Sequence, residues 1–175
     1  MSKRSVFVVA VAVAAMAVTV AGCASSDLSS GSAGTSKSSA LAAPVVPSMP
    51  ALPLLDRRAG NGEIVQQAGL NGAGTLRIDN GNSDDVAVVV ANGNPASPQA
   101  TIYVRGNSKA TLSGIAGTYY VYLKTGADWD QATLSFTRDR QFQKFDDSFD
   151  AGSDWEITLQ PSIGGNASTS DVPAF

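Results

Sequence analysis

The chain contains no histidine and a single cysteine in 175 residues. The absence of histidine excludes Ser-His-Asp and Cys-His nucleophilic catalysis, because both need an imidazole as proton acceptor. Zinc and copper sites lose their most common ligands for the same reason. No GxxxxGK[ST] phosphate-binding loop occurs either. Function must therefore be sought outside these familiar catalytic and metal-binding patterns.

Basic charge is scarce as well. The chain has 12 basic and 15 acidic residues, and no basic run is longer than two. Nucleic-acid binding needs clustered lysine and arginine to neutralise phosphates, so we expect no nucleic-acid partner. If residues 1–22 are removed, Lys3 and Arg4 leave with them, and the remaining 10 basic and 15 acidic residues give a net charge of −5.

The amino terminus has the pattern of an export signal. Lys3 and Arg4 precede thirteen consecutive apolar residues at positions 6–18. A basic start followed by an apolar stretch of this length is typical of a secretory signal peptide. The stretch is shorter than the roughly 20 residues that a membrane-spanning helix needs.

Small residues and the only cysteine follow this apolar stretch. Val20, Ala21 and Gly22 stand directly before Cys23. This run resembles the lipobox of bacterial lipoproteins, in which the cysteine receives diacylglycerol and the chain is cut ahead of it. The resemblance implies a signal peptide over residues 1–22 and a mature protein held by lipid at the extracytoplasmic face of the cell membrane. An ordinary signal peptide, or an uncleaved anchor that contains a cysteine, is the alternative.

The next segment predicts a tether over residues 23–60. Eight of the seventeen residues at 24–40 are serine, which favours a flexible linker. Prolines then recur every third residue at positions 44, 47, 50 and 53, the period of a polyproline II helix. We expect a stiff spacer there, with a docking site for a proline-binding partner as the alternative. Residues 61–68 predict a short helix capped by Asn61 and ended by Gly69.

From residue 74 onward the hydrophobic pattern has a period of two. Eight strands are predicted, at residues 75–78, 86–91, 101–105, 109–113, 118–123, 131–137, 140–145 and 155–160. A strong turn signal, Asp-Asn-Gly-Asn, occupies residues 79–82. The expected fold is all-β, an antiparallel β-sandwich of about seven to eight strands over residues 61–170, preceded by the disordered tether. We expect residues 168–175 to be loosely ordered, with 171–175 as a C-terminal tail and docking of Phe175 as the alternative.

Several stretches resemble a domain that recurs in exported proteins of actinobacteria and related bacteria. They include GTLRIDNG at 74–81, GTYYVY at 117–122, FTRD at 136–139 and WEITLQP at 155–161. The resemblance covers about residues 74–170 and implies an exported β-rich domain without an assigned function. That family often has a cysteine after the FTRD stretch, where this chain has Arg140. The GTY hairpin also resembles one seen in transthyretin-like sandwich modules, and we expect an immunoglobulin- or transthyretin-like sandwich.

One candidate site is an acidic loop with four aspartates in nine residues. They are Asp146, Asp147, Asp150 and Asp154. Carboxylate oxygens in a flexible loop are ligands for calcium, although the spacing is not that of an EF-hand. In the simpler interpretation, the aspartates hold turns by accepting hydrogen bonds from backbone N–H groups. We expect no cofactor, with calcium at this loop as the alternative.

A second candidate is an aromatic platform. Tyr120 and Tyr122 share one face of a predicted strand, and Trp129 lies on the predicted loop after it. Such rings stack on sugars when they are exposed, which suggests a cell-wall glycan as ligand. In the alternative interpretation they are buried against the sheet.

The third candidate is a pair of carboxylates for acid–base hydrolysis. Asp128 with Asp130, or Asp139 with Asp146, would supply the two groups that a glycosidase needs. We expect instead no catalytic residues, and a non-catalytic, membrane-anchored module that binds a glycan or an envelope protein. A small carboxylate-dependent hydrolase acting on cell-wall or extracellular glycans is the alternative.

Overall fold

The computed structural model describes residues 4–10, 54–160 and 166–175. Cys23, the lipobox residues and most of the predicted tether lie outside these ranges. Residues 55–160 and 166–175 form one unit together with the strand at 4–10. Within the described residues every regular element is a β-strand, and none is a helix long and apolar enough to cross a membrane.

Eleven strands are present in the described part of the chain. They are β1 (Arg4–Ala10), β2 (Glu63–Gln67), β3 (Gly74–Asn80), β4 (Val86–Ala91), β5 (Ala100–Val104), β6 (Ser108–Ile115), β7 (Thr118–Asp130), β8 (Ser135–Phe145), β9 (Phe149–Asp150), β10 (Asp154–Gln160) and β11 (Thr169–Asp171). The predicted all-β sandwich is confirmed.

Two sheets make up the sandwich. The smaller sheet has the order β1-β10-β3-β6, and the larger one has the order β11-β8-β7-β4-β5-β2, with β9 paired to β7. The larger sheet is antiparallel throughout. In the smaller sheet β10 runs parallel to both of its neighbours, whereas β3 and β6 are antiparallel. The first two residues of the turn predicted at 79–82 belong to β3, and the chain bends at 82–84, where it passes from one sheet to the other.

The main core lies between the sheets. β4 has six consecutive apolar residues and is buried along its whole length, as a strand at the centre of a sheet should be. The side chains of this core come from both sheets: Leu76, Ile78, Leu112, Ile157 and Leu159 from the smaller one, and Val86, Val88, Val90, Ile102, Val121 and Leu123 among those of the larger one. Their alternation with outward-facing residues is the period-two pattern read from the sequence.

The outer face of the larger sheet is also apolar and is covered by the residues that precede β2 and those that follow β11. We refer to residues 55–60 as the N-terminal strap and to residues 172–175 as the C-terminal segment. Ala59 of the strap packs in a cluster with Ala87, Tyr103, Trp129 and Phe136. Val172 and Phe175 of the C-terminal segment pack against a separate cluster of Val89, Ala91 and Tyr122.

Three sequence predictions about local structure are wrong. Residues 61–68 contain strand β2 instead of a helix, because this segment pairs with the outer edge of β5. The strands predicted at 131–137 and 140–145 are one strand, β8, preceded by a turn at 131–134. The C-terminal residues are not loosely ordered, since β11 pairs with β8 and the Val172 N–H donates to the Phe142 carbonyl oxygen at 2.9 Å. The alternative for this segment agrees with the structure, because Phe175 docks in edge contact with Tyr122 and Phe142.

Deleting a core side chain should test the placement of the core. Ile102 is fully buried, whereas Ile64 is 41% exposed. We expect Ile102→Ala to lower the free energy of unfolding by about 2–5 kcal/mol, from lost burial and a residual cavity. Ile64→Ala is the matched control and should cost less than about 1 kcal/mol. Urea unfolding of the two variants, each carrying Cys23→Ser, measures both values, and equal losses would contradict this core.

Candidate functional site

The strap is fastened to the larger sheet by an ion pair at Arg57. Its Nε donates to Asp128 Oδ1 at 2.8 Å and its Nη2 to Asp128 Oδ2 at 2.8 Å. The backbone N–H of Arg57 donates to the same carboxylate at 3.0 Å, and the Thr137 hydroxyl donates to it at 2.6 Å. A two-pronged contact of this kind fixes orientation as well as position. Asp128 is 5% exposed, so much of this contact is shielded from water.

The backbone at Asp128 is unusual. Asp128 has φ of 58°, in the left-handed region that non-glycine residues seldom adopt. It follows Gly126, where the pairing of β7 with β8 shifts register. The N–H of Trp129 donates to the Arg57 carbonyl oxygen at 2.8 Å, so the strap holds this backbone next to the carboxylate it binds. Such conformations persist where the surroundings over-determine them.

A second ion pair joins Arg58 to the buried Asp85, at the start of β4. Arg58 binds both carboxylate oxygens, with its Nε 2.6 Å from Oδ2. The Tyr103 hydroxyl donates to Oδ2, and the Gly106 N–H donates to Oδ1 at 2.8 Å. Four hydrogen bonds therefore converge on one carboxylate, which is what a buried charge requires.

The electrostatics of the two carboxylates follow from these contacts. The hydrogen bonds from Arg57, and then from Thr137, hold the pKa of Asp128 well below its usual range. Burial opposes the ionisation of Asp85, but the hydrogen bonds from Arg58 and from Tyr103 outweigh it and lower the pKa of that carboxyl. Burial and the bond to Asp85 raise the pKa of Tyr103. Both aspartates are therefore charged at neutral pH.

A polar pocket of about 240 Å³ lies between the two ion pairs. Its walls include Arg57, Arg58, Asp84, Asp85, Tyr103 and Asp128. Both arginines on these walls already bind carboxylates, so their charge is engaged in holding the strap. The arrangement can fasten one segment of chain firmly to another. The lowered pKa values of Asp85 and Asp128 keep these two carboxylates ionised rather than protonated at neutral pH.

The predicted aromatic platform is not assembled. Trp129 is 3% exposed, in edge contact with Tyr103 and Phe136, and its Nε1 donates to Gln131 at 2.9 Å. Tyr122 is 5% exposed and belongs to the other outer-face cluster, in edge contact with Phe175. Tyr120 is half-buried, with the Lys144 Nζ 4.0 Å from the centre of its ring. The alternative, that these rings cover the second face of the sheet, describes Tyr122 and Trp129.

Two aspartates of the acidic loop accept hydrogen bonds from the protein, and one of these bonds, at Asp150, holds a turn. Asp150 Oδ1 accepts the Gly152 N–H at 3.0 Å, and Asp146 Oδ1 accepts the Ser170 hydroxyl at 2.6 Å. Asp147 lies in the bend between them, and Asp154 begins β10. Within residues 54–160 and 166–175 no group of three or more His, Cys, Asp or Glu side chains is placed to hold a metal ion.

The two candidate carboxylate pairs are placed differently in the structure. Asp128 and Asp130 both face the Arg57 guanidinium, which lies 2.8 Å from the first and 3.4 Å from the second. Asp139 and Asp146 are seven residues apart along β8 and its end. At about 3.3 Å per residue they are some 20 Å apart, beyond the ~5–10 Å separation that such enzymes use.

The sequence did not reveal the partners of the two arginines. Arg57 is 71 residues from Asp128, and Arg58 is 27 residues from Asp85. The one signal in the sequence is the pair of adjacent arginines at the end of the predicted tether. That pair indicated a boundary, but the carboxylates it binds are brought there only by the sheet.

Comparisons with known proteins found no matching family model, no matching curated protein and no matching solved structure.

The Arg57–Asp128 pair should make stability depend on acid pH. Because the folded-state pKa of Asp128 lies below the unfolded value of about 3.9, its contribution is present above that value and is lost as the pH falls through the folded pKa. We expect Asp128→Asn to lower the urea midpoint at pH 7 and to flatten the fall in stability below about pH 4.

Asp84→Asn is the matched control, since the Asp84 carboxylate is exposed and lies 3.5 Å from the Ser83 hydroxyl. Its midpoints from pH 7 to pH 2 should follow those of the parent chain carrying Cys23→Ser. An unchanged pH profile in Asp128→Asn would show that the ion pair does not stabilise the fold.

Proposed function

We propose that this chain is an exported bacterial lipoprotein and that its β-sandwich is a non-catalytic module for contact with the cell envelope. Residues 1–22 are the signal peptide, and lipid on Cys23 holds the mature chain at the extracytoplasmic face of the membrane. Two or more acyl chains give stable anchoring, since each buried CH₂ contributes roughly 0.8 kcal/mol. The resemblance to exported actinobacterial domains agrees with this assignment.

The fastening of the strap is the observation that carries the proposal. Chain arriving from the anchor side meets the domain at residues 55–60, where Arg57 and Arg58 bind two carboxylates at opposite ends of one pocket. Force or motion transmitted along a tether would therefore act on a rigid attachment. The Arg138 Nη2 adds a hydrogen bond to the Leu55 carbonyl oxygen at 2.5 Å. A domain held in this way suits display away from a membrane.

The chemistry of the domain favours binding over catalysis. Asp128 is held as a charged partner of Arg57, which removes it from acid–base work. Because Tyr122 and Trp129 are buried, a stacking surface for sugars loses two of its three rings. We therefore favour an envelope protein over a cell-wall glycan as the partner. The net charge of −5 after removal of residues 1–22 leaves attachment to anionic lipid to Cys23 rather than to the domain.

The lipid anchor is tested by Cys23→Ser in cells labelled with a fatty-acid analogue. We expect the parent chain to carry label, to lose residues 1–22 and to sediment with membranes. The variant should carry no label and should not be cut ahead of residue 23, which intact-mass measurement would show. Ala24→Ser, next to the cysteine, is the control and should behave as the parent. Unchanged labelling and processing of Cys23→Ser would overturn the anchor.

Contact with the envelope is tested by crosslinking the lipidated chain in its native membrane and identifying the attached molecules. We expect one or a few proteins to be recovered reproducibly, and fewer with Cys23→Ser. Recovery of glycan fragments instead would support the cell-wall ligand, and turnover of a glycan by the purified domain would support the hydrolase.

A further inference from the structure

The strands at the edges of the two sheets differ in how well they are protected against pairing with another chain. An edge strand offers unpaired N–H and C=O groups, and proteins guard such edges with short strands, register shifts or lysine. In the described chain β11 has three residues, and β2 has five with a register shift between Ile64 and Gln66. β6 carries Lys109 and pairs with β3 through a register shift near Gly74. Each of these three edges therefore has a feature that hinders pairing with another chain.

Strand β10 has none of these features. Its seven residues, DWEITLQ, contain no proline, glycine or lysine. It pairs with β3 without a register shift from Asp154 to Leu159. Ile157 and Leu159 are fully buried in the main core, so the strand is firmly placed. β10 therefore has the character of an interior strand.

The outer side of β10 is paired with β1. The two run parallel over seven residue pairs, from Arg4 opposite Asp154 to Ala10 opposite Gln160. β1 lies within residues 1–22, which the proposed function removes on export, and the inference rests on that removal. Once β1 is gone, every second residue of β10 presents an unpaired N–H and C=O on the outer side.

The tether of the mature chain is a poor replacement for β1. Residues 24–40 are rich in serine and glycine, which are weak strand formers. The prolines at 44, 47, 50 and 53 lack the N–H that a ladder needs, and they recur too closely for a seven-residue strand. An occupant of this edge must then come from another chain.

We propose that the outer edge of β10 in the exported domain is a docking site for an extended segment of an envelope protein, which adds to the smaller sheet as a parallel strand. Main-chain hydrogen bonds supply the affinity of such an addition, and side chains supply the selectivity. β1 shows the chemistry that fits: RSVFVVA places a basic residue opposite Asp154 and then three valines and a phenylalanine. Glu156, two residues on, adds to the acidic character at the start of this edge.

The probe is a synthetic peptide of residues 3–10, KRSVFVVA, added to the chain that begins at residue 23 and carries Cys23→Ser. Amide hydrogen exchange is followed along β10. Without peptide, about half of the β10 amides, those that face the outer side, should exchange quickly. With saturating peptide, the exchange rates of these amides should fall at least tenfold. The same peptide with Val8→Pro and Val9→Pro lacks two consecutive N–H groups, one of which must face β10, and should give little protection. Equal protection by both peptides, or none by either, would overturn the proposal.

Two protein variants distinguish binding of the peptide at β10 from binding at β6, the opposite edge of the smaller sheet. Thr158→Lys places a guarding lysine on β10 and should reduce the protection by the peptide, whereas Thr111→Lys on the exposed part of β6 should not. Protection of β10 that appears without peptide and rises with protein concentration would show a second copy as occupant and would overturn the proposal.

The exchange experiment uses unlipidated chain, so its failure is distinct from failure of the anchor. If Cys23 is acylated but β10 gains no protection, the docking site is wrong and the proposed function stands. If residues 1–22 remain on the exported chain, β10 stays covered, and both the proposed function and this inference are overturned.

Discussion

The whole arrangement depends on β4 being apolar on both of its faces. Val86, Val88 and Val90 point into the core between the sheets, while Ala87 and Val89 point to the other side. A sheet with such a strand at its centre needs cover on two sides, because exposed apolar surface costs roughly 25 cal/mol per Å². The smaller sheet covers one side. The strap and the C-terminal segment, which looked like peripheral chain, cover the other.

A strap as short as residues 55–60 needs polar contacts to hold it against the sheet. Residues 55–60 contain little apolar surface, and hydrophobic burial of Ala59 alone would not hold them. Arg57 and Arg58 add charge-assisted hydrogen bonds to two carboxylates that line the same pocket, and each carboxylate is further satisfied by protein donors. This full satisfaction matters, since a buried charge with one partner missing destabilises a fold strongly. The strap is thus held by polar contacts in an apolar setting.

Much of the fold could be predicted from the sequence because sheet periodicity is local. The apolar run of β4, the alternation of buried and exposed residues in β3 and the turn signal near its end could all be recognised in the sequence. β7 was also predicted, although the predicted strand was shorter than the observed one. The prediction failed where a distant strand decided the outcome. Residues 63–67 have a pattern compatible with a helix, and pairing with β5 made them a strand. The bulge in β8 at Asp139 was misread as a break between two strands for a similar reason.

By itself, the sequence determined the β-rich class, the central strand and the absence of histidine chemistry, since these follow from composition and period. It also contains a pattern typical of an export signal, followed by Cys23, and the use of both by the cell is the subject of the proposal. Only the tertiary structure decided which side chains meet. It buried Tyr122 and Trp129 in different clusters, bound Asp146 to the Ser170 hydroxyl, placed Asp150 in a turn, and joined Arg57 to Asp128 across 71 residues. Contacts at such separations depend on sheet order and register, which no local pattern encodes.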